Sequence, residues 1–147
     1  MAMIQRIAVG FDGSPDAAPA VRWAIDLAKQ IDGEVLVVHA IGLLEHAAQP
    51  RKVVELEEVV RDLSRERGID PARVHWHPVD GDPCSALIRA ASAPISADLV
   101  VVGSRGQGAH SGLLLGSTSL ELAEHTAIPL VIVPMARTDR GQESSVL

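Results

Sequence analysis

Aromatic side chains are nearly absent from this sequence. Its 147 residues include one phenylalanine (Phe11), two tryptophans (Trp23 and Trp76) and no tyrosine. A folded core must therefore be built from valine, leucine, isoleucine and alanine, which suits buried parallel strands covered by alanine-rich helices. The apolar share of 47% is ordinary for a globular protein and excludes a disordered chain.

Cysteine is equally scarce. Cys84 is the single cysteine, so no internal disulfide can form, and this composition fits a reducing compartment. Cys84 follows Pro83 at a predicted helix start, a position that can favour a reactive thiolate. The interpretation that we favour is a small buried side chain.

Long apolar runs and positive charge are also lacking. No stretch of about 18 apolar residues could span a bilayer, and residues 1–6 lack the apolar segment of a secretory signal. We therefore expect a cytoplasmic protein without a membrane partner. The net charge of −6 argues against nucleic acid as a partner. It does not argue against a nucleotide, because backbone amides can bind phosphates.

Short apolar runs alternate with helical periodicity along the chain. Five runs predict strands, at residues 4–11, 35–40, 74–79, 99–102 and Leu130–Val133. Helices are expected between them, the last three at residues 51–67, 83–93 and 119–126. This alternation predicts a single-domain α/β protein with an open parallel sheet and helices on both faces. We assign residues 1–137 to this domain and expect residues 138–147 to be a disordered tail.

Local signals predict where the first and last helices begin or end. Ser14 is expected to cap the first helix, with Pro15 as its first residue, and Asp32-Gly33 to end it. For the last helix, Thr118 and Glu121 have the spacing of a capping box.

The most informative pattern combines glycines with hydroxyl residues. Gly103-Ser104-Arg105-Gly106 directly follows the strand of residues 99–102, and Gly116-Ser117-Thr118 precedes the last predicted helix. Glycine lets the backbone turn sharply and approach a ligand, and amides at a helix start then face an anion. The pattern predicts a phosphate-binding loop; the alternative is that the glycines only permit a turn.

The spacing Gly-x2-Gly-x9-Gly-Ser/Thr resembles the nucleotide-binding signature of the universal stress protein family, in its ATP-binding branch. It is not a G-x-G-x-x-G dinucleotide loop, and no lysine follows Gly116 as a P-loop requires. The resemblance covers nearly the whole chain, through the segments Ile7-Ala-Val-Gly-Phe-Asp-Gly-Ser14, Val38-His39-Ala40, Gly81-Asp82-Pro83 and Ile128-Pro-Leu-Val-Ile-Val-Pro134. It implies a Rossmann-like five-stranded sheet with the strand order 3-2-1-4-5.

The resemblance also implies a set of nucleotide-binding residues. The adenine would lie at the ends of the first two strands, around Gly10, Asp12 and Ala40. There the Asp12 carboxylate would accept hydrogen bonds from the adenosine part, although its alternative role is to organise the Asp-Gly turn. The ribose and phosphates would meet the glycine loop through Gly103, Ser104, Arg105, Gly106, Gly116, Ser117, Thr118 and Ser119.

Positively charged groups near this loop are few. Arg105 is a candidate for contact with the β- and γ-phosphates, with exposure to solvent as the alternative. Residues 107–115 contain His110 but no lysine or arginine, unlike many members of the family. His110 is a second candidate for phosphate contact, but we favour a solvated loop position for it. Thr118 stands where the family most often has a small aliphatic residue. The lack of basic residues could weaken binding of a triphosphate relative to a diphosphate or a cyclic nucleotide.

The sequence shows no obvious metal or catalytic cluster. His75 and His77 lack a third ligand, so packing or surface roles are favoured over a zinc site. Useful ATP hydrolysis needs metal ligands, a positioned water and cations on the phosphoryl group, and no matching lysine or aspartate cluster is apparent. We expect ATP to bind with Mg²⁺, which the phosphates and a hydroxyl such as Ser117 would hold, and any hydrolysis to be slow.

These features favour an ATP-binding regulatory protein of the stress response, not an enzyme, with an unidentified protein partner. Three alternatives stay open: an interaction module that binds no nucleotide, a cyclic-nucleotide binder, and a slow ATPase. The last strand, Leu130–Val133, would be an apolar sheet edge. Relatives commonly form dimers through this strand, so we expect a homodimer.

Overall fold

Five strands and four helices alternate along the chain in this computed structural model, which describes residues 3–42, 50–104 and 115–134. The strands are β1 (Arg6–Gly10), β2 (Glu34–Ile41), β3 (Val74–Asp80), β4 (Leu99–Gly103) and β5 (Leu130–Val133). The helices are α1 (Ala17–Ile31), α2 (Pro50–Arg67), α3 (Pro83–Ala90) and α4 (Ser117–His125), and a short 3₁₀ helix at Pro71–Arg73 leads into β3. Within these ranges no helix is both long and apolar enough to cross a membrane. The expected tail, residues 138–147, lies outside the described residues.

The strands form one parallel sheet in the order β3-β2-β1-β4-β5, which confirms the predicted fold. β1 lies at the centre, where Ile7 pairs with Val35 of β2 on one side and with Leu99 of β4 on the other. Ile7 and Val9 enter the core shared with α1 and α2, whereas Ala8 enters the core shared with α3 and α4. Because helices cover both faces, the central strand is continuously apolar and buried from Ile7 to Val9 rather than alternating.

The element boundaries follow the predicted ones closely. β5 has the predicted bounds, and the other strands differ from prediction by one or two residues at an end. The third helix, α3, ends at Ala90 rather than at Ala93. The next amides, of Ala91 and Ser92, donate to carbonyls three residues earlier, so the helix tightens and ends. Pro94 also disfavours helical backbone at Ala93.

The first helix begins later than predicted. α1 starts at Ala17, not at Pro15, and Asp16 rather than Ser14 occupies the N-cap position. The reason is local hydrogen bonding. The Ser14 amide donates to the Asp12 carboxylate at 2.8 Å, and the Ala17 amide donates to the Ser14 carbonyl at 3.1 Å. These bonds form a turn over residues 12–17, and the helix follows it.

The last helix begins earlier than predicted. α4 starts at Ser117 rather than Ser119, and Gly116 occupies the N-cap position. No side-chain hydrogen bond caps this helix, so the predicted Thr118–Glu121 capping box is wrong. The Gly116 amide instead donates to the Ser104 carbonyl at 2.7 Å, which holds the helix start against the end of β4.

The end of α1 is the predicted one, and Arg73 secures it. Asp32 adopts the left-handed conformation, with φ of 57°, and Gly33 follows. The Arg73 guanidinium donates to the Ala28 carbonyl at 2.8 Å and to the Gly33 carbonyl at 2.6 and 2.8 Å. A single cation therefore ties the C-terminus of α1 to the start of β3, where it also complements the negative end of the helix dipole.

The start of α1 lies directly against the end of β4. A Cβ atom added to Gly103 would lie 2.3 Å from the carbonyl oxygen of Asp16 and 2.9 Å from its carbonyl carbon. Both obstacles are backbone atoms, so no side-chain movement could make room. The packing of α1 on the sheet thus requires glycine at position 103, independently of any ligand.

We predict that Arg73→Met lowers the free energy of unfolding by about 2 kcal/mol, because it removes charged hydrogen bonds to two carbonyls but keeps an apolar stem. Urea unfolding followed by circular dichroism measures the change. Arg65→Met is the control, since Arg65 pairs with Asp62 on the exposed face of α2 at 3.1 Å and such pairs contribute less than about 1 kcal/mol. Equal losses in the two variants would contradict the role of Arg73.

We predict that Gly103→Ala lowers the free energy of unfolding by at least about 2 kcal/mol, because the new methyl group forces α1 away from β4. Gly116→Ala is the matched control. The backbone of Gly116 has φ of −79° and ψ of 170°, which any residue adopts. The free energy of unfolding of Gly116→Ala should therefore fall no more than that of an ordinary surface substitution. If both variants unfold at the same urea concentration as the wild type, the close approach of α1 and β4 is not a constraint.

Candidate functional site

The carboxyl ends of the parallel strands meet at one edge of the sheet. The chain order reverses at β1, since β2 lies on one side of it and β4 on the other. In open α/β sheets such a switch point forms a crevice in which ligands bind. Here the crevice is bordered by the turn after β1 at Phe11 and Asp12, by the end of β4 at Gly103 and Ser104, and by the start of α4.

Hydrogen bonds join the two glycine segments at this edge. The Gly116 amide donates to the Ser104 carbonyl at 2.7 Å, and the Ser104 amide donates to the Val133 carbonyl at 3.0 Å. The Ser119 hydroxyl donates to the Gly103 carbonyl at 2.9 Å. The structure therefore brings the predicted residues at the end of β4 and the start of α4 together, and both are anchored to the sheet.

The first turn of α4 lies at this edge of the sheet, beside the end of β4. The N–H groups of Ser117, Thr118 and Ser119 have no acceptor within the helix, as at every helix start. Gly116 has no side chain that could cap them. The hydroxyl residues differ in exposure, since Ser117 is exposed and Thr118 half-buried, whereas Ser119 is only 2% exposed. The chemistry of this turn suits an anion held by amides and by one or two hydroxyls.

Two of the predicted serines face inward. Ser119 is buried and its hydroxyl is bonded to Gly103. Ser104 is 7% exposed, and both its amide and its carbonyl are engaged with neighbouring backbone. These residues support the shape of the loop, and the exposed Ser117 is better placed for a ligand. The sequence alone could not show which of Ser104, Ser117 and Ser119 face inward, because each of these serines stands beside a glycine or a threonine.

The structure confirms that Asp12 organises a turn. Its Oδ1 atom accepts the Ser14 amide at 2.8 Å, and its side chain lies half-buried at the end of β1. Organising this turn is the role that the sequence analysis gives as the alternative for Asp12. Contact of the same carboxylate with a ligand stays a prediction.

The other two residues predicted to border the adenine lie close together. Gly10 pairs with Val38 in the β1–β2 register, and Ala40 follows two residues later on β2. A Cβ atom on Gly10 would lie 3.0 Å from Leu87 Cδ1 of α3. This side of the sheet is therefore covered by α3, and space at Gly10 is narrow.

His39 is a site residue that the sequence analysis did not single out. It lies near the carboxyl end of β2, is 6% exposed, and its Nδ1 atom lies 2.9 Å from the Phe11 carbonyl oxygen. Its ring stacks on Trp76, with the ring centroids 5.6 Å apart and an angle of 17° between the planes. The available signal was a polar residue at the end of an otherwise apolar strand, next to the predicted adenine position.

Part of the predicted loop lies outside the described residues. This applies to Arg105, Gly106 and His110, so the structure gives no account of the loop's cation or of its second glycine. The predicted contacts of these three residues with phosphate stay predictions.

Cys84 lies in the first turn of α3, and the histidines His75 and His77 lie on β3 at the edge of the sheet. Cys84 is 5% exposed, which confirms the buried interpretation. Burial and the nearby Glu121 carboxylate raise the pKa of its thiol, which opposes the reactive-thiolate alternative. His75 is half-exposed, with Nε2 3.7 Å from a Glu34 oxygen. Over residues 3–42, 50–104 and 115–134, no group of three histidine, cysteine, aspartate or glutamate side chains could hold a metal ion.

The turn into α3 uses the Asp82 carboxylate as its cap. Asp82 accepts the Ser85 amide at 2.9 Å from the N-cap position, and Pro83 is the first helical residue. Hydrogen bonds from Ser85 lower the pKa of Asp82. Gly81, with φ of 124°, supplies the backbone conformation that precedes the cap. This agrees with the segment Gly81-Asp82-Pro83 that the sequence identified as a turn.

Comparisons with known proteins agree on one family. The sequence model of the universal stress protein family matches residues 3–134. Universal stress protein Rv2028c of Mycobacterium tuberculosis is 33% identical, over 95% of this chain and 51% of that protein. Stress response protein NhaX of Bacillus subtilis is 29% identical, over 87% of this chain and 96% of that protein. The chain thus spans about half the length of the mycobacterial relative and nearly all of the Bacillus one.

The architecture has a solved counterpart. A crystal structure of a universal stress protein in complex with cAMP aligns with a TM-score of 0.74 and 26% identity, over 92% of this chain and 100% of that one. The strand order and the family match, which spans most of the sequence, point to the same conclusion. The chain belongs to the universal stress protein family.

Proposed function

We propose that this protein is an ATP-binding regulatory protein of the stress response, which binds nucleotide in the crevice between β1 and β4 and hydrolyses it slowly at most. The observation that carries the proposal is the 2.7 Å hydrogen bond from the Gly116 amide to the Ser104 carbonyl. It holds the uncapped first turn of α4 beside the carboxyl end of β4, where the backbone geometry favours a phosphate.

The adenosine part of the nucleotide is proposed to lie over β1 and β2. Gly10, Asp12 and Ala40 border this position, and all three are half-buried at the carboxyl ends of their strands. A carboxylate suits ribose hydroxyls or an amino group and disfavours phosphate. The position of Asp12 therefore supports an orientation with the adenosine towards β2 and the phosphates towards α4.

The phosphates are proposed to lie on the first turn of α4. The amides of Ser117, Thr118 and Ser119 would donate to them, and the exposed Ser117 hydroxyl would help to hold Mg²⁺. Gly103, Ser104, Arg105 and Gly106 would form the opposite wall. Ser104 would hold the shape of this wall, since its side chain is buried and its amide and carbonyl are bonded to neighbouring backbone. Ser119, whose side chain is also buried, would act through its amide.

Binding without efficient catalysis follows from the character of these groups. Phosphoryl transfer requires metal ligands, a positioned nucleophile and charge on the transferring group. The proposed cradle consists mainly of neutral amides and hydroxyls, with Arg105 as its one predicted cation. We therefore propose that the protein is a nucleotide-responsive partner of another protein and not an enzyme. We also propose that it acts in the cytoplasm.

A cyclic nucleotide is the second candidate ligand. A relative with 26% identity has been crystallised with cAMP, and residues 107–115 contain no lysine or arginine. A single phosphate needs less positive charge than a triphosphate, so the lack of lysine and arginine in this segment favours a ligand with fewer charges. An interaction module that binds no nucleotide is the remaining alternative.

We predict that the purified protein, freed of co-purified nucleotide that is identified by mass, binds ATP with Mg²⁺ with a dissociation constant on the order of micromolar. Isothermal titration calorimetry with ATP, ADP and cAMP measures the preference. Gly116→Val should weaken binding at least about tenfold, because its side chain occupies the space in front of the amides.

Glu124→Gln is the control for this titration, since Glu124 is exposed in the last turn of α4 and should not alter binding. Tighter binding of cAMP than of ATP would establish the second candidate. If none of the three nucleotides binds to the folded wild-type protein, the glycine loop is structural and the interaction module is correct. Several turnovers per second in a phosphate-release assay would contradict slow hydrolysis.

We predict a homodimer formed through β5. This strand is the last one of the sheet, and its four residues, Leu130–Val133, are half-buried. An apolar edge favours pairing with a second copy, and Pro129 and Pro134 would limit the pairing to a few residues. Sedimentation velocity over about a hundredfold range of concentration should show a reversible dimer. A monomer at every concentration would exclude this interface.

A further inference from the structure

His39 links β2 to the turn after β1. Its Nδ1 atom lies 2.9 Å from the Phe11 carbonyl oxygen. A carbonyl oxygen can only accept a hydrogen bond, so Nδ1 must carry a proton and donate. The interaction is buried, because both His39 and Phe11 are less than 7% exposed. A buried hydrogen bond of this kind is costly to lose, since the carbonyl would be left without a donor.

Phe11 is thereby held through both of its backbone polar groups. Its amide donates to the Val38 carbonyl at 3.0 Å, and its carbonyl accepts from His39. Asp12 follows directly, and its carboxylate binds the Ser14 amide at 2.8 Å. The position of the Asp12 carboxylate therefore depends on a backbone segment that one side chain of the neighbouring strand fixes.

Trp76 fixes the orientation of the histidine ring. The two rings stack at 5.6 Å with an angle of 17°. His39 pairs with Pro78 in the β2–β3 register, so Trp76 is its diagonal neighbour on the same face of the sheet. Stacking leaves the imidazole little freedom to rotate, so Nδ1 stays directed at the Phe11 carbonyl.

We infer that His39 is a positioning residue of the nucleotide site, and that its Nδ1–H group holds Asp12 in place for the adenosine part of the ligand. This inference rests on the proposed function. A group held in advance in its binding geometry saves the entropy of ordering it when the ligand arrives. Loss of the donor should therefore weaken nucleotide binding although His39 itself does not touch the ligand.

The test compares two substitutions of His39 with a control on β3. His39→Leu removes the donor and keeps an apolar side chain. His39→Asn restores a donor at the same number of bonds from the backbone as Nδ1, but without the aromatic stack. His77→Leu is the control, because His77 is half-buried on the opposite face of β3 from Trp76. Tryptophan fluorescence in a Trp23→Phe background reports on Trp76, since the sequence contains two tryptophans.

Two readouts are needed, one with nucleotide and one without. We expect His39→Leu to raise the ATP dissociation constant about tenfold and to reduce hydrogen-exchange protection of the Ser14 amide by a similar factor. His39→Asn should recover most of both properties, although its Trp76 fluorescence will differ from wild type. His77→Leu should change neither.

The outcomes separate this inference from the proposed function. If His39→Leu leaves Ser14 exchange and ATP affinity at wild-type values, the positioning role is wrong. If His39→Asn is as impaired as His39→Leu, the histidine acts through packing alone, and the inference is again overturned. If the wild type binds no nucleotide, the proposed function fails. Ser14 exchange in the unliganded protein then still decides whether His39 holds the Asp12 turn.

Discussion

The hydrogen bond from the Gly116 amide to the Ser104 carbonyl, at 2.7 Å, is the interaction on which the candidate site depends. It sets where α4 begins and therefore where the uncapped amides of the helix lie relative to β4. The bond is anchored in the sheet, because the Ser104 amide is itself bonded to Val133 of β5 at 3.0 Å. A polar cradle made of backbone is thus positioned by hydrogen bonds that continue the ladder of the sheet.

The fold could be predicted because its signals are local. Each strand is a short apolar run, and each helix shows its own periodicity, so residues near in sequence suffice to identify them. The starts of α1 and α4 could not be predicted in the same way, whereas α3 starts at the predicted Pro83. α4 begins at Ser117 because Gly116 is bonded to Ser104 on another element. α1 begins at Ala17 because Asp12 captures the Ser14 amide first. Competition between alternative hydrogen-bond partners decides such boundaries, and it depends on tertiary contacts.

The sequence identifies Gly103 and Gly116 as loop glycines that the structure brings together, but it does not show why glycine stands at these positions. Gly103 was identified as a close approach to a ligand, yet a Cβ atom there would first meet the Asp16 carbonyl at 2.3 Å. Ser119 was identified by its hydroxyl, which in fact donates inward to Gly103. His39 stood out only as a polar residue near the end of an apolar strand, because its partner, the Phe11 carbonyl, lies in the turn after β1 and is distant in sequence. The type of a residue indicates which hydrogen bonds its side chain can form. The direction of the side chain and the identity of its partner become known only when the strands are placed side by side.

The turn at residues 12–17 is where the two halves of the crevice meet. On one side, His39 fixes Phe11 and so the Asp12 carboxylate that starts this turn. On the other side, its last part lies against Gly103 at the end of β4, so close that no Cβ atom fits between them. A ligand that contacted both Asp12 and the start of α4 would therefore contact two of the structures that hold the turn of residues 12–17 in place. Because α1 follows this turn directly, a change in its position would be passed to a helix that packs across the sheet, which is a physical route from ligand binding to a distant surface.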